Sequence, residues 1–146
     1  KVTYRLSESL ENKVDRISDG TLITYVLDGL NKIKSFKAVA QVPSESTYRL
    51  GIGGKNERLY GKAVRLENNA DYSSCILTME YLSGDKAQTV AYEIADKPIY
   101  VYSSRNQNAE AGTLNDIRTG EYSDSLASEV LVYSVNFDVS CVVVIE

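Results

Sequence analysis

Residues 129–146 read EVLVYSVNFDVSCVVVIE, and this stretch decides what kind of sheet the chain builds. Apolar side chains occupy alternate positions, which predicts a half-buried β-strand, either one long strand or two strands joined by a turn. Val142 and Val144 make both faces apolar near the end, so this end is expected to lie inside a sheet or to pair with another strand. The alternating residues are Leu131, Tyr133, Val135, Phe137, Val139, Cys141, Val143 and Ile145.

Further alternating stretches towards the N-terminus predict an antiparallel β domain, a sheet or a sandwich, over residues 38–146. Residues 75–94 alternate on both sides of a Ser-Gly-Asp-Lys sequence at 83–86, which is typical of a hairpin turn. A short strand is expected to begin at Pro98, because proline has no N–H for the interior of a sheet. Residues 104–128 are polar and weakly patterned, which predicts a long loop of the kind that often carries function.

Before this domain, apolar residues recur at steps of three and four, which predicts one long amphipathic helix over residues 1–37. A break near Gly20 into two helices is the alternative, although the apolar stripe crosses this position almost in phase. The predicted fold class is therefore α+β. A helix over residues 6–36 would reach about 46 Å, so part of its stripe is expected to meet another molecule. The stripe consists of Leu6, Leu10, Val14, Ile17, Leu22, Val26, Leu30 and Ile33.

The composition excludes several classes of function. The chain has 146 residues and a net charge of −4, which argues against a nucleic-acid partner. It has no histidine, which removes Ser-His-Asp and Cys-His catalysis and histidine-bound metals. Asp116, Glu121 and Asp124 crowd the polar loop, but their spacing matches no calcium-binding loop. We therefore predict no enzyme, and no catalytic, cofactor-binding or metal-binding residues.

Cys75 and Cys141 both lie on the apolar faces of predicted strands. A disulfide between them would close a loop of about 66 residues, would contribute about 4 kcal/mol, and would place the protein outside a reducing cytosol. Two buried thiols that behave as small apolar side chains are the alternative.

Tyrosine is unusually common, with eleven residues against two phenylalanines and no tryptophan. Tyrosine suits strands and packs with its hydroxyl in water, so packing on the faces and rims of the sheet is the simplest interpretation. Contact with neighbouring subunits or with carbohydrate is the alternative, because tyrosine is enriched at interfaces.

Residues 38–59, AVAQVPSESTYRLGIGGKNERL, lead from the predicted helix through an extended segment and a proline to a Gly-Gly-Lys hairpin. Together with the helix, this stretch resembles the soluble part of type IV pilin-like proteins, in the style of the archaeal members. In that family an apolar first half of the helix anchors in the membrane and later packs in the filament core. The resemblance implies an extracellular, cell-surface subunit of a pilus-like filament, structural or adhesive, with copies of itself or related subunits as partners. Any membrane contact is expected only through an apolar segment upstream of Lys1.

Two other functions stay open. The C-terminal strand could pair with the sheet edge of another subunit, as in a strand-exchange filament or a capsid-like assembly. Alternatively, polar residues converging in a cleft could bind a small ligand or act as an enzyme. Deletion of residues 139–146 distinguishes the first alternative, because loss of assembly with an intact fold would favour strand exchange.

Overall fold

The chain folds into β-sheets throughout the part that the structure, a computed structural model, describes. That part comprises residues 3–10, 21–41, 56–136 and 138–146. Contacts divide the chain into two compact units, Lys1–Ser46 and Thr47–Glu146. Within the described ranges no helix reaches seven residues, and none has the length and apolarity that a membrane crossing requires.

The first unit contains a three-stranded sheet in the order β1-β3-β2. Its strands are β1 (Arg5–Leu6), β2 (Thr21–Leu27) and β3 (Lys32–Gln41). β2 and β3 form an antiparallel hairpin, and β1 lies parallel to β3. The Asp28 carboxylate closes the hairpin turn by accepting the backbone N–H groups of Lys32 and Leu30, at 2.9 and 2.8 Å. These two bonds lower the pKa of Asp28 from its ordinary value.

The α+β fold class and the long helix predicted for residues 1–37 are wrong. Leu6 lies in β1, Leu22 and Val26 in β2, and Ile33 in β3, while Leu10 ends a short 3-10 helix (Glu8–Leu10). Leu30 lies in the turn between β2 and β3, and Val14 and Ile17 lie outside the described residues. The supposed stripe is not one face, because Leu30 is 78% and Val26 58% exposed while Leu10 and Ile33 are buried.

The side chains of β2 explain why a hairpin forms in place of the helix. Thr21, Ile23, Thr24 and Val26 are β-branched, and such residues lose rotamer freedom in a helix but pack well on a pleated sheet. The Asp-Gly sequence at 28–29 then provides a turn, and Asn31 adopts a positive φ of 56°. The boundary predicted between residues 37 and 38 consequently falls inside β3.

The second unit contains one seven-stranded sheet in the order β6-β5-β4-β9-β10-β7-β8. Neighbouring strands are antiparallel except for β10 and β7, which are parallel. β4 pairs with β9 through its first half and with β5 through its second half, with a register shift between Ala63 and Arg65. The strands are β4 (Asn56–Asn68), β5 (Cys75–Ser83), β6 (Lys86–Glu93), β7 (Ile99–Ser103), β8 (Asn108–Gly112), β9 (Glu129–Val135) and β10 (Asp138–Ile145).

Alternate residues on one face of this sheet form the main hydrophobic core. The loop after β8 adds Ile117 to the core, and the loop after β6 adds Ile94. The strands contribute Leu59 and Ala63 of β4; Cys75, Leu77, Met79 and Tyr81 of β5; Ile99 of β7; Val130 and Val132 of β9; and Val139, Val142 and Val144 of β10.

The C-terminal stretch forms two strands, β9 and β10, joined by a turn at Asn136, which has a φ of 52°. β10 lies between β9 and β7, which confirms the expectation that its end is inside a sheet. On the opposite face from the core, Leu131 and Val143 are also buried. Because β10 is already paired on both sides, it has no free edge to offer to another subunit.

Three other expectations for this unit are confirmed. Ser83 pairs with Lys86 across a two-residue turn, and Gly84 has a φ of 64°, as the first central position of a type II′ turn requires. β7 begins directly after Pro98. Residues 104–128 form mostly loop, interrupted by β8 and a 3-10 helix at Leu114–Asp116.

Candidate functional site

A cleft of about 540 Å³ lies where the loop before β9 meets strands β4 and β5. Val64 of β4 and Glu80 of β5 form its floor, since Glu80 alternates with the core residues Met79 and Tyr81 and therefore points away from the core. Loop residues 120–123, which are Gly120, Glu121, Tyr122 and Ser123, form its wall.

The loop that carries this wall is closed at its base by hydrogen bonds. The Ser128 N–H donates to the Arg118 carbonyl at 2.8 Å, and the Arg118 N–H donates to the Ser128 hydroxyl at 2.9 Å. The base is also fixed to β4, because the Ala63 N–H donates to the Ser128 carbonyl at 3.0 Å and its carbonyl accepts the Gly120 N–H at 3.2 Å. The wall of the cleft is therefore preorganised.

Asp124 shapes the tip of the loop. Its N–H donates to the Glu121 carbonyl at 2.8 Å, and its carboxylate accepts the Leu126 N–H at 2.8 Å. The same carboxylate approaches Gly120 so closely that a Cβ there would lie 2.6 Å from its oxygen. Glycine at position 120 thus lets the loop fold back on itself and present residues 121–123 to the cleft.

Lys62 of β4 ties the loop tip to the sheet beside the cleft. Its ammonium donates to the Asp124 carbonyl at 2.7 Å and lies 6.0 Å from the centre of the Tyr122 ring. In the register of the sheet Lys62 stands opposite Glu80 on β5 and Glu129 on β9. The ammonium therefore lies on a surface of carboxylates and holds the aromatic ring next to them.

These groups supply both kinds of hydrogen-bonding partner around an apolar patch. Glu80 and Glu121 accept hydrogen bonds, the Ser123 hydroxyl donates and accepts, and the Lys62 ammonium donates. Tyr122 and Val64 provide apolar surface. Within the described ranges, no three His, Cys, Asp or Glu side chains are grouped so that they could hold a metal ion.

The predicted disulfide is not formed, and Cys75 and Cys141 are both buried, free thiols. Cys75 faces the core from β5, whereas Cys141 alternates with the core residue Val142 and lies on the opposite face of the sheet. β4 and β9 also separate their two strands. Burial raises the pKa of both thiols, that of Cys141 to about 11. The bridge was the basis for placing the protein outside the cytosol, and that basis is removed.

Most tyrosines of the second unit pack on the sheet, in line with the simplest interpretation. Tyr60, Tyr100, Tyr102 and Tyr133 are half-buried and share the face opposite the core. Tyr81 is buried in the core, and its hydroxyl donates to the Gln88 side chain at 2.9 Å. Tyr122 differs from these because it is carried by a loop and lines the cleft.

Sequence reasoning identified the loop at 104–128 as functional but missed Lys62, Val64 and Glu80. Their approach to the loop depends on the pairing of β4 with β5 and β9, which no local pattern reveals. The available signal was the composition of residues 121–124, EYSD, where one aromatic residue lies among hydrogen-bonding groups in a long loop.

Comparison of the chain with family models, curated proteins and solved structures found no match. The likeness to pilin-like proteins depended on the helix, which the described residues replace with β2 and β3, and on residues 38–59, of which 42–55 lie outside the described part.

Proposed function

We propose that this chain is a non-catalytic, adhesive β-sheet domain that binds a neutral saccharide in the cleft beside β4 and β5. One observation carries the proposal: an aromatic ring, hydrogen-bond acceptors and hydrogen-bond donors converge on an open cleft whose wall is fixed by the loop's own hydrogen bonds. Preorganised walls lower the entropy lost when a ligand binds.

The mixture of groups suits a sugar better than an apolar ligand. A pyranose presents a C–H face that can pack on the Tyr122 ring, and its hydroxyls both donate and accept hydrogen bonds. Glu80 and Glu121 would accept from the hydroxyls, while Lys62 and Ser123 would donate to ring or hydroxyl oxygens. The volume of about 540 Å³ is within the usual range for small-molecule sites.

The charges favour a neutral saccharide over a sulfated or carboxylated one. Glu80 and Glu121 line the cleft, and Glu129 faces Lys62 from β9, so carboxylates outnumber the single ammonium at this surface. An anionic sugar would meet like charges at close range, which is unfavourable.

Binding can be tested by titrating the protein with a panel of neutral and sulfated oligosaccharides and following the heat of binding. We expect at least one neutral oligosaccharide to bind. Tyr122→Ala should then weaken it about tenfold, which is the effect of losing one aromatic contact of about 1.4 kcal/mol. Tyr122→Phe keeps the ring and should bind nearly as the wild type does.

Leu126→Ala is the matched control, because Leu126 is on the same loop but 72% exposed. It should bind as the wild type does. The proposal is rejected if no neutral oligosaccharide binds, if sulfated ones bind better, or if Tyr122→Ala and Leu126→Ala behave alike. The non-catalytic part is rejected if chromatography after long incubation shows a cleaved or modified oligosaccharide.

A further inference from the structure

Strand β6 ends the seven-stranded sheet and pairs only with β5 among the strands that the structure describes. It is eight residues long, and all of its residues are exposed or half-exposed. β8, at the other end of the sheet, has five residues with the charged Glu110 at its centre. β6 is thus the longer and less charged of the two edges.

The hydrogen-bond register shows which backbone groups of β6 point away from the sheet. The Ile94 N–H donates to the Cys75 carbonyl at 2.8 Å, and Lys86 pairs with Ser83 across the two-residue turn. Because inward-facing residues alternate in an antiparallel pair, the even-numbered residues from 86 to 94 face β5. The outward N–H and C=O groups therefore belong to Ala87, Thr89, Ala91 and Glu93.

This edge lacks the features that usually prevent strand pairing. β6 contains no proline, and its pairing with β5 runs from Lys86 to Glu93 without a register shift. Its charged residues lie only at its two ends, and the outward residues between them, Ala87, Thr89 and Ala91, are small and uncharged. A long, regular edge of this kind is a template for another strand.

We infer that β6 pairs antiparallel with β6 of a second copy of this chain and so joins two sheets into one. The end charges favour this partner and this direction. An antiparallel pair brings Lys86 of each copy near Glu93 of the other, whereas a parallel pair would bring like charges together. A twofold axis makes the contact self-complementary and closed, which gives a dimer.

The parity of β6 also fixes the register. Outward-facing residues must oppose outward-facing residues, so an axis at Val90 places Thr89 opposite Ala91 and Ala87 opposite Glu93 of the other copy. Val90 then meets Val90 on the face that packs towards the core, and Gln88 meets Tyr92. The pairing itself does not depend on the proposed function. If the cleft binds saccharide, each dimer presents two clefts, and weak binding to a multivalent surface becomes stronger.

The test is a concentration series in sedimentation velocity, with hydrogen exchange of the β6 amides. We expect a monomer–dimer equilibrium in which the N–H groups of Thr89 and Ala91 become protected as dimer forms. Thr89→Pro removes an outward N–H and no bond to β5, so it should weaken dimerisation about tenfold or more through two lost hydrogen bonds per dimer. Thr89→Ala keeps the N–H and should dimerise as the wild type does.

If Thr89→Pro disturbs the fold in circular dichroism, the double variant Thr89→Lys/Ala91→Lys replaces it, because it places four like charges around the axis and leaves the backbone intact. A wild-type chain that stays monomeric, a dimer that survives both variants, or a monomer whose β6 edge is occupied by an unrelated extended peptide would overturn the inference. Saccharide affinity per chain, measured on the same variants, should stay unchanged, so failure of the dimer and failure of the cleft are separate outcomes.

Discussion

The position of β10 in the middle of the sheet can be tested by a single substitution in its core. Val142 is 0% exposed and stands opposite Val132 on β9 and Ile99 on β7. Val142→Ala removes two carbon groups, each contributing about 0.8 kcal/mol when buried. The cavity that remains adds about 1 kcal/mol, because the neighbouring strands cannot close around it fully. The free energy of unfolding should therefore fall by about 2–3 kcal/mol.

Urea unfolding followed by circular dichroism measures this change. With a slope of about 1.5–2.5 kcal/mol per molar urea, the midpoint should fall by about 1–2 M. Val135→Ala is the matched control, because Val135 lies on β9 but is 42% exposed, and its free energy of unfolding should change by only about 0.5 kcal/mol. Equal effects of the two substitutions, or a folded protein after deletion of residues 139–146, would refute the central position of β10.

Three further predictions concern the thiols, the turns and acid stability. A thiol reagent should label neither cysteine in the native chain and both in the unreduced, unfolded chain, because Cys75 and Cys141 are buried and unbridged; no labelling after unfolding would reveal a disulfide. Gly84→Ala should lower the melting temperature of its unit, by about 1 kcal/mol or more, because of its φ of 64°, whereas Gly29→Ala, with similarly open surroundings and no positive φ, should be neutral or stabilising. The Glu93 carboxylate accepts hydrogen bonds from the Ser74 hydroxyl and the N–H groups of Cys75 and Ala95, which lower its pKa below the ordinary 4.5. Its contribution to stability is therefore present above about pH 4.5 and is lost as the pH falls through the folded-state pKa, so Glu93→Gln should lose less stability than the wild type between pH 5 and pH 3.

The strands with strict alternation could be predicted from the sequence. Residues 75–94 and 129–145 alternate with period two and are separated by residues with strong turn preference, such as Gly84 and Asn136. In these segments local preference and burial in the final sheet agree, so the pattern is sufficient. The internal position of β10 also followed from its apolar residues on both faces.

The helix prediction failed because spacing was given more weight than the shape of the side chains. Leu22, Val26, Leu30 and Ile33 recur at helical intervals, but Leu30 is in a turn and Val26 is largely exposed. The β-branched residues of β2 and the Asp-Gly turn after it were the stronger signal, since both disfavour a continuous helix.

The candidate site could be predicted only in part. The loop that carries Tyr122 was recognisable from its polarity and length. The contact of that loop with Lys62 and Glu80 depends on residues paired across 18 positions or more of sequence, and such pairing is set by the whole sheet.

The most direct test of saccharide binding is a titration of the isotope-labelled protein with a neutral oligosaccharide, followed by amide chemical shifts. The cleft predicts that the largest changes occur at residues 120–123 and at Lys62, Val64 and Glu80, with little change in β6 or β8. Changes centred anywhere else, or no change across a panel of neutral oligosaccharides, would contradict a saccharide site in this cleft.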